Sequence, residues 1–122
     1  MSRINDEIQT RINICLGEAK VARDGRDWNR CWSFLEDAHV LSQPWAWPHT
    51  RVHAAMVVVG WKMRDIVEVR GQFLRLLVGG PASAVGRYPV GNTGRARVPA
   101  TQPMPITREL AEVLQRAGQR TN

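Results

Sequence analysis

The sequence predicts an all-α fold of four to five antiparallel helices paired into two hairpins. Three observations predict it. Apolar residues recur at three- and four-residue spacing from residue 4 to residue 78. The breaks between those segments are only a few residues long, which makes consecutive helices antiparallel neighbours. One stretch, 79–105, has five glycines, five prolines and no period, and reads as a long loop ahead of a last helix.

The first helix covers residues 4–23, with Ile4, Ile8, Ile12, Cys15 or Leu16, Ala19 and Ala22 on one face. Asp24-Gly25 ends it, and the glycine is suited to a left-handed cap. Asp27 is an N-cap for a second helix, Trp28 to about Leu41, whose inner face holds Trp28, Cys31, Leu35, Ala38 and Trp32. Pro44 stops that helix, because a proline disfavours helical backbone in the residue before it. Trp45-Ala46-Trp47 falls in the connection, and one of the two tryptophans is expected to staple the loop to the core.

Pro48 opens a third helix, where its missing N–H costs nothing. That helix runs to about Met63, with Val52, Ala55, Met56, Val59 and Met63 inward. Asp65 is an N-cap for a fourth, Ile66 to about Val78, with Ile66, Val69, Phe73, Leu76 and Leu77 inward and Gly79-Gly80-Pro81 as the stop. Arg87, Tyr88, Val90 and Val98 are candidate anchors for the loop that follows. Thr107 caps a last helix, Arg108–Ala117, with Leu110, Val113 and Leu114 inward, closed by Gly118. The whole chain, 1–122, is expected to be one domain: a four-helix core over 1–78, a wrapping loop over 79–105 and a C-terminal helix over 106–118.

Composition narrows the function classes. No apolar run approaches the ~20 residues of a membrane span. The N-terminal stretch carries Asp6 and Glu7 and no continuous apolar run, so no signal peptide is expected and a cytoplasmic location is. Cys15 and Cys31 are too far apart for a zinc knuckle or a redox pair and read as buried thiols. Net charge is +6. Basic charge permits nucleic acid, but the arginines are interleaved with acids through residue 70, as in RDGRDWNR, and this dispersal argues against it. Beyond residue 70 only Glu109 and Glu112 are acidic, so the positive surface is biased to the second half.

The chemistry concentrates in EDAHVLSQPWAWPHTRVHAAM, residues 36–56, which contains all three histidines. Glu36 and His39 are three apart at the end of the second helix. His49 and His53 are four apart at the start of the third. A short reversal near Pro44 brings the two pairs together. Three imidazoles and a carboxylate suit zinc, iron or copper as a divalent ion, and three ligands with a water would make a catalytic site. A di-iron centre is disfavoured, because no second Glu-x-x-His is present. Asp37 lies about 100° round the helix from Glu36 and is better placed as an outer partner. Each histidine also has an ordinary structural explanation: His39 near a helix C-terminus, His49 at a helix N-terminus, His53 as a core residue bonded to Glu36.

GRYPVGNTGRARV invites a phosphate reading, with glycines for backbone approach and Arg87, Arg95 and Arg97 for charge. It is neither a Walker loop nor a dinucleotide fingerprint, and Gly91-Asn92 and Thr93-Gly94 equally suit turns.

Two resemblances follow from quoted residues. GRDWNRCWSFLEDAHVLSQP and GWKMRDIVEVRGQFLRLLVGGP are loosely alike, and with Ala38 and Pro44 they resemble the tetratricopeptide pattern of paired helices, though two units are fewer than a stable array needs. HVLSQPWAWPHTRVHAAM followed by GRYPVGNTGRA resembles a family of short bacterial proteins of unknown function, over about residues 25–108. That resemblance implies a bacterial source and a stand-alone domain. It carries over no activity and no site residue.

The sequence therefore leads to a transition-metal-binding helical protein with ligands Glu36, His39, His49 and His53, serving metal handling or sensing, or a small metalloenzyme. The competing class is an interaction adaptor that presents an arginine-bearing surface and the long loop to a protein partner. Metal content separates the two.

Overall fold

A computed structural model describes residues 3–122; Met1 and Ser2 of the expected domain lie outside the described residues. It holds five helices and, among the described residues, no strand: α1 Asp6–Asp24, α2 Trp28–Ser42, α3 Ala46–Lys62, α4 Ile66–Ala84 and α5 Arg108–Arg116. No helix among those residues is long and apolar enough to cross a membrane.

α1 packs along α2 and α3 along α4, giving the two expected hairpins, and α2 joins them by packing on α3. Asn5 starts α1 by accepting from the Ile8 N–H at 2.9 Å. Ile8, Ile12, Cys15, Ala19 and Ala22 are buried, as the helical spacing requires. The first hairpin turn corrects one expectation. Gly25 has φ −83°. The left-handed residue is Arg26, with φ +58°. The Arg26 N–H donates to the Arg23 carbonyl and the Asp27 N–H to the Ala22 carbonyl, which satisfies the free carbonyls of the last turn. Asp27 then caps α2 through the Arg30 N–H. The second hairpin repeats this device: Arg64 at φ +57°, the Asp65 N–H to the Gly60 carbonyl, and Asp65 capping α4 through the Glu68 N–H.

The core has two lobes. One collects Cys15, Cys31, Trp32, Leu35, Val52 and Met56 between α1, α2 and α3. The other sets Ile8, Ile12, Leu41 and Trp45 against Leu110 and Leu114 of α5. α3 begins at Ala46 rather than Pro48, so Pro48 is its third residue, still within the turn whose N–H groups have no helical partner. Trp45 is buried and staples the connection, while Trp47 is exposed. Thr107 stands at the N-cap of α5 but makes no side-chain capping bond.

α4 departs furthest from the sequence reading. It runs through Gly79-Gly80-Pro81 to Ala84. A Cβ on Gly79 would meet His49 Cε1 at 3.3 Å, and one on Gly80 would meet Thr50 Oγ1 at 3.2 Å, so these glycines let α3 and α4 approach. Tertiary packing here overrides a propensity cost of roughly 1 kcal/mol per glycine and 3 for proline. The stop is Gly86, at φ +71°, with the Arg87 N–H on the Ala82 carbonyl. The expected apolar face is not the inner one. Ile66, Phe73 and Leu77 are exposed, and the buried residues of α4 are Glu68, Gln72 and Ser83. The loop after Ala84 folds back over this polar face, with Val90, Gly91, Asn92 and Gly94 buried.

Candidate metal centre

His39 lies in the last turn of α2, His49 and His53 lie in the first half of α3, and all three are buried. Their Nε2 atoms form a nearly equilateral triangle: 3.0 Å from His39 to His49, 3.0 Å from His49 to His53 and 3.1 Å from His39 to His53. These short contacts are not hydrogen bonds, as the other ring nitrogens show.

His39 Nδ1 lies 2.6 Å from the Asn92 carbonyl, which can only accept, so Nδ1 carries the proton. His49 Nδ1 lies 2.7 Å from Ser83 Oγ. That hydroxyl donates its own proton to the Gln43 carbonyl at 2.6 Å, so it must accept from His49. His53 Nδ1 lies 2.6 Å from Gln72 Oε1. The Gln72 amide is oriented by its other end, where Nε2 donates to Glu68 Oε2 at 3.1 Å and to the Gly94 carbonyl at 2.7 Å. Each ring therefore holds its proton on Nδ1 and turns an Nε2 lone pair to the centre of the triangle. Burial pushes all three histidines towards the neutral form: His39 well below its ordinary value, His49 to about 3 and His53 to about 4.

The outer partners form one connected network. Glu68, fully buried, accepts from Arg95 Nε at 2.6 Å and from the Ala96 N–H, and Arg95 lies over the Trp32 ring at 3.8 Å. The Asn92 side chain donates to the Pro99 and Gln102 carbonyls and accepts from the Gly94 N–H, which fixes the carbonyl facing His39. Gln43 accepts from the Gly91 N–H and donates to the Pro89 carbonyl. Gly94 has φ +83°, and a Cβ there would stand 2.5 Å from His39 Cδ2, so only glycine fits.

The group of potential ligands is His39, His49 and His53, and it could hold a metal ion. Glu36 does not join it. Glu36 is half-buried one turn before His39, with its carboxyl pushed up by burial and opposed by the charge of Arg95. Met56, one turn past His53, belongs to the core. The arginines considered for an anion do not gather into one site. Arg95 pairs with Glu68, Arg97 makes a two-bond pair with Asp65 at 2.8 and 3.0 Å, and Arg87 is exposed beside a cavity of about 650 Å³. The three histidines line that cavity.

Sequence reasoning missed Gln72, Ser83, Asn92 and Glu68. A signal for two of them exists. Glu68 and Gln72 are four apart on a largely apolar helix, and that spacing puts them on one face. Asn92 and Gly94 were noticed only as turn residues.

No curated protein and no solved structure matches the chain. The model of one family, described as protein of unknown function (DUF3703), matches residues 6–114. The chain belongs to that family.

Proposed function

We propose that this protein binds one divalent transition-metal ion through the Nε2 atoms of His39, His49 and His53. One observation carries the reading: three lone pairs meet at 3.0–3.1 Å, and every proton that could separate them is committed elsewhere. Three facing lone pairs repel one another, and a cation among them turns that repulsion into three bonds. The carbonyl, hydroxyl and amide behind the rings are the kind of partner that orients metal-bound histidine.

The dimensions support an open site. His39, His49 and His53 would hold an ion through three Nε2 atoms, fewer ligands than a closed structural site supplies. Three protein ligands would leave a position for another ligand, and the adjacent cavity offers space for it. Imidazole nitrogens suit zinc, iron(II) and copper(II). An open position fits metal handling, sensing or a small metalloenzyme better than a closed structural site.

The test is a zinc titration of metal-stripped, untagged protein against a chromogenic chelator. One tight site per chain, lost in His53→Ala, supports the reading. Uptake unchanged by His53→Ala rejects it.

A second reading, an interaction adaptor, draws on the exposed apolar residues of α4. Of the arginines, Arg95 pairs with the buried Glu68 and Arg97 with Asp65.

A further inference from the structure

The cavity beside the three histidines has a composition that bears on what enters it. α4 contributes Leu74, Val78 and Ala82, and the loop contributes Pro89 and Pro103. The polar contribution is lopsided: Arg75, Arg87 and Arg120 line the same space, and none of the lining residues is acidic. Arg75 donates to the Val98 carbonyl at 2.8 Å, so its guanidinium is fixed in place. Arg120 donates to the Gly86 carbonyl and lies 4.8 Å from the centre of the Tyr88 ring, which closes one side of the cavity.

Charge decides the class of ligand. A divalent ion on three neutral imidazoles keeps both of its positive charges. The fully buried carboxylate nearby, Glu68, is already matched by Arg95. The wall adds positive charge and no negative charge. Arg87 and Arg120 stand exposed, but the double charge of an ion among buried imidazoles is costly unless an anion compensates it. The apolar part of the wall sets the rest of the ligand's character, since apolar surface favours a ligand that covers it.

We infer that the cavity binds an organic monocarboxylate with an apolar tail, one carboxylate oxygen on the metal and the other facing Arg75, the tail lying against Leu74, Val78 and Ala82. This inference rests on the metal reading above and names the ligand class for that site. A carboxylate has two oxygens, and the metal and Arg75 supply a partner for each. A phosphate monoester carries an additional charged oxygen, and beyond the metal and Arg75 it finds no fixed donor: Arg87 is exposed, and Arg120 is exposed and committed to the Gly86 carbonyl and the Tyr88 ring. A volume of about 650 Å³ is ample for a six-carbon acid. Leu74 and Val78 are more than half exposed, which leaves them apolar surface for a tail to cover.

The experiment uses the full chain, untagged and loaded with cobalt(II), whose visible absorption reports changes in its ligands. Hexanoate, acetate, hexanamide and hexyl phosphate are titrated in turn. The inference expects hexanoate to shift the cobalt spectrum and to bind at least ~10-fold more tightly than acetate, because four more methylenes become buried. Hexanamide should bind at least ~10-fold more weakly than hexanoate, because it lacks the charge. Arg75→Gln should weaken hexanoate by ~10-fold. Leu74→Asp, at an exposed position that folding tolerates, should weaken both, and hexanoate more than hexanamide, because both lose the same apolar contact and only hexanoate meets a like charge. Cobalt uptake with hexanoate no tighter than acetate or hexanamide, or with hexyl phosphate the tightest of the four, overturns this inference and leaves the metal reading standing. Failure to take up cobalt overturns both.

Discussion

The two hairpins share a turn and differ in what they bury. Both turn through a left-handed arginine followed by an aspartate that caps the next helix, Arg26-Asp27 and Arg64-Asp65. In the first hairpin the helical apolar faces meet and form the core. In the second, α3 presents two histidines to α4, and α4 answers with Glu68, Gln72 and Ser83 while Phe73 and Leu77 face outward. The comparison shows that one local design of turn and cap can serve two ends. One hairpin supplies stability. In the other, α3 still sends Val52, Met56 and Val59 into the core, and α4 gives up its apolar burial to hold polar groups where the histidines need them.

This contrast can be broken at several points. The largest expected effect is on the metal. His53→Ala removes one of three ligands and should reduce metal affinity by more than the ~100-fold that outer partners reach, measured by chelator competition. Next comes the core of the first hairpin. Leu35→Ala truncates a fully buried residue and should cost about 2–5 kcal/mol in urea unfolding, while folded molecules still take up metal in full. Gln72→Leu sharpens the comparison from the other side. It keeps the volume but removes the acceptor for His53 Nδ1–H, and should weaken metal binding ~10–100-fold.

A smaller effect is expected from acid on the metal-free protein. Above pH 6.5 neither the folded nor the unfolded chain protonates these rings, so they add no pH dependence. Below it the unfolded chain takes up protons that the folded chain refuses until about pH 4 at His53 and about pH 3 at His49. Stability should therefore fall as pH falls through that window, by roughly 1 kcal/mol per histidine at pH 5.5, read from urea midpoints. The smallest effect belongs to Phe73→Ala. Phe73 is 59% exposed, and its loss should change stability by no more than about 0.5 kcal/mol. A cost as large as that of Leu35→Ala would erase the distinction between the hairpins.

Much of the architecture was legible because it follows from local periodicity. Ile8, Ile12, Cys15, Leu35, Val52 and Met56 sit inward where three- and four-residue spacing puts them. The three histidines converge because His49 and His53 share a face and the α2–α3 link is short. What was not legible depends on contacts between distant segments. Glu36 has the right spacing to His39, but spacing on a helix does not fix where a side chain ends, and the His39 ring is claimed by Asn92 from the loop. Gly79-Gly80-Pro81 read as a stop because local propensity says so, and only close packing on His49 and Thr50 reverses it. α4 read as an ordinary amphipathic helix because apolar side chains usually turn inward. Its polar face is inner because His49, His53 and the loop supply the hydrogen-bond partners that make burial of Glu68, Gln72 and Ser83 possible.

The measurement closest to the central claim is elemental analysis of untagged protein as isolated, combined with X-ray absorption at the edge of whatever metal is found. The account predicts about one zinc, iron or copper per chain, with three imidazole nitrogens at about 2.0–2.2 Å. Protein that emerges metal-free and takes up none from solution, or a bound metal with sulfur or fewer than three imidazoles in its shell, would contradict it.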